Sequence, residues 1–83
     1  MADRPLRYRE FLRCARRFGV RELEGRGKGS ERLWERVVEG RRYVATVTCH
    51  GEGKELRVEL MRAVRRRLLL DKAHGITDDV FYE

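Results

Sequence analysis

Apolar residues near the amino terminus recur every three or four positions. They are Tyr8, Phe11, Leu12, Ala15 and Phe18. This spacing puts them on one face of an α-helix and predicts a first helix with a buried stripe. Asp3 and Pro5 are typical of a helix start, and Gly19 is typical of a helix end. The arginines in this stretch fall mainly outside the stripe, so we expect them on an exposed face.

The pattern then changes from helical spacing to alternation. Residues 20–24 predict a short strand, and residues 33–38 and 41–49 predict two longer strands rich in β-forming residues. Glu39 and Gly40 form a two-residue turn of the kind that closes a hairpin. The glycine-rich run at 25–30 matches neither period, so it predicts a loop.

A second helical pattern follows the turn at 50–53 and starts at Glu55 or Val58. It is predicted to bury Leu60, Met61, Val64 and Leu68, and to expose Arg62, Arg65 and Arg66. Thr77 is the expected N-cap of a short terminal helical turn that carries Val80 and Phe81.

The element order is therefore α-β-β-β-α. We expect a single α+β domain over residues 1–83, with a three-stranded antiparallel sheet and two helices on one face, because each apolar stripe needs one partner layer. A chain of 83 residues is too short for two independent cores. No apolar run is long enough to predict a membrane span, and the charged amino terminus does not resemble a secretory leader.

The net positive charge of the chain bears on the kind of partner that it binds. The chain has 20 Lys and Arg against 14 Asp and Glu, a formal net charge of +6, although 41% of its residues are hydrophobic. Nearly all the cations are arginines, whose donors suit phosphate oxygens, so we expect a nucleic-acid partner. Enrichment in arginine can also reflect selection for thermal stability or the codon bias of a GC-rich genome.

The charge is unevenly distributed along the chain. Residues 1–42 carry 13 cations and 7 anions, whereas residues 43–83 carry 7 of each. Within the second half, residues 54–67 carry six cations and two anions. These cations are either an RNA-contacting row or an ordinary solvated helix face.

The sequence has few residues in patterns that bind a metal or a nucleotide. Cys14 and Cys49 are not arranged as CxxC, so we expect reduced thiols, a cytoplasmic setting and no zinc site. A phosphate-binding Walker loop opens a helix, whereas Lys28, Gly29 and Ser30 lead into a strand. No cofactor is predicted.

Several short motifs together resemble one family. Gly29–Ser30–Glu31 followed by Trp34 is similar to the Gly-Ser-His-x-x-aromatic signature of HicA-like (YcfA-type) messenger-RNA-cleaving toxins. Phe18 and Gly19 resemble the end of that family's first helix. Residues 47–51 with 54–56 resemble its V-x-x-H-G and K-E-L junction, and residues 61–64 and 75–83 match its second and terminal helices. The resemblance covers residues 7–83.

The resemblance implies a fold like that of double-stranded-RNA-binding domains, RNA cleavage without a metal, and inhibition by a HicB-like antitoxin. Glu31 stands where the family has histidine. Attack by a 2′-hydroxyl needs a base and an acid, and imidazole, with a pKa of about 6.5, suits both roles better than a carboxyl with a pKa of about 4.3. Either Glu31 is the base and His50 the acid, or the site does not cleave.

The candidate catalytic residues are thus Glu31 and His50. The candidate nucleic-acid-binding residues are Arg26, Lys28, Ser30, Arg32, Lys54, Arg57, Arg62, Arg65 and Arg66. Each has a structural alternative: Glu31 can pair with Arg26 or Arg32, and His50 can be a plain turn residue. Trp34 and Tyr43 can stack on bases, but strand aromatics more often pack in a core.

Three functions are compatible with this sequence. The first is an RNA-binding HicA-like toxin, with or without cleavage. The second is a non-catalytic double-stranded-RNA-binding module. The third is a basic interaction protein that docks an acidic partner, since an acidic surface mimics phosphates.

Overall fold

The computed structural model describes residues 4–23 and 29–83, and it confirms the predicted α-β-β-β-α order. Its elements are α1 (Tyr8–Arg16), β1 (Arg21–Leu23), β2 (Glu31–Val38), β3 (Arg41–Thr48), α2 (Val58–Arg67), a 3₁₀ turn (Lys72–His74) and α3 (Asp78–Phe81). The strands form one antiparallel sheet in the order β1-β2-β3. The helices pack on one face of this sheet, as predicted.

The β2–β3 hairpin turns where the sequence predicted. Glu39 and Gly40 both have positive φ, 51° and 80°. This is the conformation of a two-residue type I′ turn, whose twist matches that of the flanking strands. The turn sets the register, in which Trp34 lies opposite Ala45 and Glu31 opposite Thr48.

Helix α1 starts later than its sequence signals suggest. Its N-cap is Arg7, and the predicted start near Pro5 is wrong; Asp3 lies outside the described residues. Before the helix, the chain is held extended. The Leu6 carbonyl accepts a hydrogen bond from the Leu56 N–H at 2.7 Å, and the backbone of Arg7 forms an antiparallel β-bridge with Glu55. This long-range pairing competes with the local helix signal and prevails. The predicted end is confirmed, because Gly19 adopts a φ of 87°.

Trp34 is the centre of the core between the sheet and α1. It is fully buried, and its ring meets the Tyr8 ring edge-on with centroids 5.6 Å apart. The Trp34 indole N–H donates to the Tyr8 hydroxyl at 2.8 Å, and burial raises the pKa of Tyr8 well above its usual value. Trp34 therefore packs in the core and does not stack on bases. Tyr43 is half-buried and packs against the same core.

Helix α2 begins at Val58 and buries Met61, Val64 and Leu68, as predicted, with Leu60 half-buried beside them. Of the three arginines that the sequence predicts to be exposed on this helix, Arg62 and Arg66 are exposed.

The predicted exposure of Arg65 is wrong. Only 3% of Arg65 is exposed, because the chain after α2 folds back over that flank of the helix. Its guanidinium donates to the carbonyls of Leu70 at 2.8 Å and Ile76 at 3.2 Å, and to Asp78 at 2.7 Å. Arg65 therefore holds the terminal segment in place and does not lie on a surface that could contact RNA.

The terminal helical turn forms as predicted. The Thr77 hydroxyl accepts from the Val80 N–H at 3.4 Å as the N-cap of α3. Phe81 is fully buried, whereas Val80 is largely exposed.

The opposite face of the sheet carries no helix among residues 4–23 and 29–83. The molecule accordingly measures 33 × 31 × 18 Å, and its short dimension fits one sheet and one layer of helices. None of the described helices has the length and apolar content to span a bilayer.

Candidate nucleic-acid interface

The antiparallel register brings distant parts of the predicted site to one end of the sheet. The Cys49 N–H donates to the Ser30 carbonyl at 2.6 Å, and Glu31 lies directly opposite Thr48. Paired residues of an antiparallel sheet lie about 5 Å apart and project to the same face. Ser30 and Glu31, at the start of β2, are thus neighbours of the segment that leads into His50.

A groove of about 320 Å³ lies at this end, between the end of β3 and the start of α2. It is lined by Thr48, His50, Lys54, Glu55, Leu56, Arg57 and Leu60. His50 is exposed, and the next residue, Gly51, has a φ of 139°, a conformation that side-chain-bearing residues rarely adopt. The turn therefore holds His50 at the mouth of the groove.

The start of α1 anchors the loop before α2, which carries the cations Lys54 and Arg57. The Tyr8 N–H donates to the Lys54 carbonyl at 2.9 Å, and the Arg9 N–H donates to the Glu52 carbonyl at 3.1 Å. The same contacts place a guanidinium nitrogen of Arg9 3.9 Å from where a Cβ on Gly53 would lie. Arg9 thus joins the cations at this end of the sheet. Nothing local in the sequence indicates this, because the contact depends on pairing between residues nearly fifty positions apart.

The structure separates other predicted contacts from this groove. Arg32 pairs with Glu22 at 3.2 Å and donates to the Gly29 carbonyl, so its charge is already partnered, and its partner is not Glu31. Arg62 and Arg66 follow Arg57 by five and nine positions, which turns them by about 140° and 180° around the helix. They lie on another side of α2. Arg65 is buried. Arg26 and Lys28 lie outside the described residues.

Chemically, the groove offers exposed donors and one candidate acid–base pair. Lys54 and Arg57 are exposed and can bind phosphate oxygens. His50 can donate or accept a proton, and the exposed Glu31 carboxylate lies on the neighbouring strand. The exposed cations are suited to binding a phosphodiester, and the strand register puts Glu31 at the same end of the sheet as His50.

A larger cavity, of about 500 Å³, lies at the opposite end of the sheet. Its lining includes Arg36, Glu39, Arg41 and His74, and no predicted site residue. The Arg36 guanidinium donates there to the carbonyls of Phe18, Leu68 and Leu69, at the carboxyl ends of α1 and α2. These helix ends and the Glu39 carboxylate offset the charge of the two arginines in this cavity.

Metal-ligating side chains are not clustered in the part of the chain that the structure describes: no three His, Cys, Asp or Glu residues lie together. Cys14 and Cys49 are buried free thiols, and burial raises the pKa of Cys14. No protein-family model, curated protein or solved structure matches the chain.

Proposed function

We propose that this protein binds RNA through the groove at the β3–α2 junction, as a HicA-like toxin-family protein. The observation that carries the proposal is the register between β2 and β3. It brings Ser30 and Glu31 of the signature-like segment beside the groove that His50, Lys54 and Arg57 line. Proteins recognise duplex RNA chiefly by its shape, through its phosphates and 2′-hydroxyls, and a fixed group of cations suits this task.

The salt dependence of RNA affinity tests this proposal. A Lys54→Ala/Arg57→Ala variant is compared with Arg13→Ala/Arg16→Ala, which removes the same charge from the exposed face of α1. We expect the groove variant to bind duplex RNA more weakly and to lower the slope of log K against log salt by about 2, because two phosphates are no longer neutralised. Equal effects of the two variants, or affinity independent of salt, would contradict the groove as the binding site. The second outcome would favour an acidic protein partner.

Cleavage is the second candidate function, because Glu31 and His50 lie at the same end of the sheet. In this reaction Glu31 takes the 2′-hydroxyl proton and the 2′-oxygen attacks phosphorus. The 5′-oxygen then leaves with a proton from His50. The products are a 2′,3′-cyclic phosphate and a 5′-hydroxyl, and the two side chains end with their protonation states exchanged.

Induced expression tests cleavage separately from binding. If the pair is catalytic, expression arrests growth and degrades messenger RNA, and Glu31→Ala or His50→Ala relieves both effects. Glu31→His should increase cleavage, because imidazole is the better base near neutral pH. Growth arrest that neither alanine variant changes would rule out this pair. A HicB-like reading frame beside the gene would independently support the toxin assignment and supply its antitoxin.

A further inference from the structure

The sheet has a second face, turned away from the helices, and the strand register shows which residues form it. Successive side chains of a strand point to opposite sides, so the neighbours of the buried Trp34 and Ala45 point away from the core. These are the odd-numbered residues of β1 and β2 and the even-numbered residues of β3. We call this surface the outer face.

Apolar side chains form the middle of the outer face. Leu23 lies directly opposite Leu33, and both are half-buried, as is Val44 on β3. Val37, at 58% exposed, also lies on this face, and it is more exposed than Val80, at 44%, on α3. An apolar patch with a polar rim is typical of a surface that binds another protein.

The charges of the outer face balance, although the whole chain carries +6. Its described charged residues are two arginines, Arg21 and Arg42, and two glutamates, Glu31 and Glu35. The Nε of Arg21 donates to one carboxylate oxygen of Glu35 at 2.8 Å, and the Nε of Arg42 donates to the other. The excess cations therefore lie on other surfaces, and repulsion between charges more than about 8 Å apart is largely screened at physiological ionic strength. A second copy can approach this face, whereas a polyanion gains little from it.

Opposite charges lie at the two ends of the outer face. Glu31 pairs with Thr48 at one end, and Arg42 pairs with Val37 at the other, which puts the two ends about 20 Å apart along the strands. Consider two sheets that face each other across a two-fold axis running perpendicular to the strands. This axis reverses the strand direction in the second copy, so Glu31 of each copy lies over Arg42 of the other. A symmetric dimer requires such reciprocal contacts.

We propose that the outer face binds a second copy of this chain, sheet against sheet, in a two-fold dimer. Two strands of eight residues and one of three cover about 300–400 Å² in projection. A standard interface buries about 800 Å² on each partner, so this dimer is transient and forms at high protein concentration. It places a guanidinium of the other copy beside Glu31. That contact affects cleavage only if Glu31 has the role proposed above, whereas the dimer itself does not rest on the proposed function.

Sedimentation equilibrium of the full chain, from about 10 µM to about 1 mM, tests the dimer directly. We expect the average mass to rise with concentration toward twice that of one chain. Val37→Lys should weaken association about tenfold or more, because it brings an unpaired charge into the interface. Val80→Lys makes the same change at the exposed valine of α3 and should associate like the native chain. A native chain that stays monomeric at the highest concentration, equal effects of the two variants, or a mass that rises past the dimer would each refute the proposal.

Charge exchange tests the direction in which the two sheets face each other. Glu31→Arg and Arg42→Glu each put like charges together at both ends, so neither variant should dimerise alone. A mixture of the two restores opposite charges at both ends and should form the dimer again. Absence of dimer in the mixture of folded variants would refute this arrangement.

Two further measurements keep the test decisive. Arg42 also bonds Glu35, so circular dichroism checks that Arg42→Glu folds. If it does not, Glu31→Arg is compared with Glu59→Arg, the same change at an exposed position of α2, and only the first should weaken association. Equal association of these two variants would overturn the contact at Glu31. None of these experiments uses RNA, so a chain that binds RNA without dimerising removes this proposal alone, and a dimer that binds no RNA removes only the proposed function.

Discussion

At the scale of single residues, this protein places two charged side chains where sequence periodicity predicts neither burial nor pairing. Arg65 is buried because three oxygens of the terminal segment accept from its guanidinium, and its charged end also lies 4.6 Å from the centre of the Phe81 ring. Glu35 is 6% exposed although no described helix covers it, because Arg21 and Arg42 bond its two carboxylate oxygens. In both cases hydrogen bonds offset the cost of removing charge from water.

Arg65→Met is expected to destabilise the protein by about 2–4 kcal/mol, because it leaves buried carbonyls at Leu70 and Ile76 without donors. Urea unfolding followed by circular dichroism measures this loss. Arg66→Met is the matched control: it removes the same charge from the next, exposed position and should change stability by no more than about 0.5 kcal/mol. Equal effects would mean that the contacts of Arg65 do not stabilise the fold.

Glu35→Gln is expected to flatten the acid limb of the stability curve. Hydrogen bonds from Arg42 and Arg21 hold the pKa of Glu35 below its usual value, so its folded pKa is lower than its unfolded pKa. Its stabilisation is therefore present above an unfolded pKa of about 4.3 and is lost as pH falls through the folded pKa.

Urea unfolding from pH 7 to pH 2 measures this effect of Glu35. Glu10, whose pKa is lowered by the Arg7 backbone N–H, retains part of the acid dependence in the variant. Glu59→Gln, at an exposed helix position, should leave the curve unchanged. A variant curve as steep as that of the native chain would contradict the role given to Glu35.

At the scale of elements, turns decide where helices and strands stop. Among the described residues, only Glu39 and Leu69 have positive φ without being glycine, at 51° and 58°. Glu39 opens the β2–β3 turn, and Leu69 reverses the chain after α2. A residue with a Cβ loses about 1–2 kcal/mol in this left-handed conformation. The fold tolerates the strain because the flanking pairs and the packed Leu68 and Leu70 fix both turns.

Glu39→Asn is expected to stabilise the hairpin by about 0.5–1 kcal/mol, because asparagine before glycine favours a type I′ turn. Thermal unfolding should show this as a rise in Tm of about 4 °C. Glu39→Gln removes the same charge without relieving the backbone, so it should not raise Tm. If both variants gained equally, charge and not turn geometry would account for the change.

At the scale of the whole molecule, the two-layer design encloses both thiols within one core. Cys14 and Cys49 are 6% and 5% exposed, on α1 and just after β3. Burial also raises the pKa of Cys14, which lowers the thiolate fraction that reacts with reagents. Both thiols should therefore become reactive only when the core opens.

Thiol labelling with a disulfide reagent tests this expectation. Native protein should react at least about a thousandfold more slowly than protein in denaturant, since global opening of a small domain is rare. Thr46→Cys, exposed on the sheet, should label at once and serves as the internal control. Fast labelling of Cys14 or Cys49 in the native protein would show that the two layers separate far more readily than the buried core implies.

The sequence by itself determined the order of elements and most of their faces. Local periodicity carries that information: the α1 stripe, the alternation around Trp34 and the glycine after Glu39 all point to structures that residues close in sequence can form. For the same reason the Thr77 cap and the glycine turn at Gly19 after α1 were predictable. Net charge and the signature-like segment at Glu31 indicated a class of partner.

Only the tertiary structure decided which of these residues meet. Long-range pairing of Arg7 with Glu55 overrode the helix start and brought Arg9 close to Gly53. The returning chain buried Arg65, and the β2–β3 register joined Glu31 to the His50 end of the sheet. These contacts depend on the relative placement of whole elements. Their energies arise between residues distant in sequence, so no local pattern can report them.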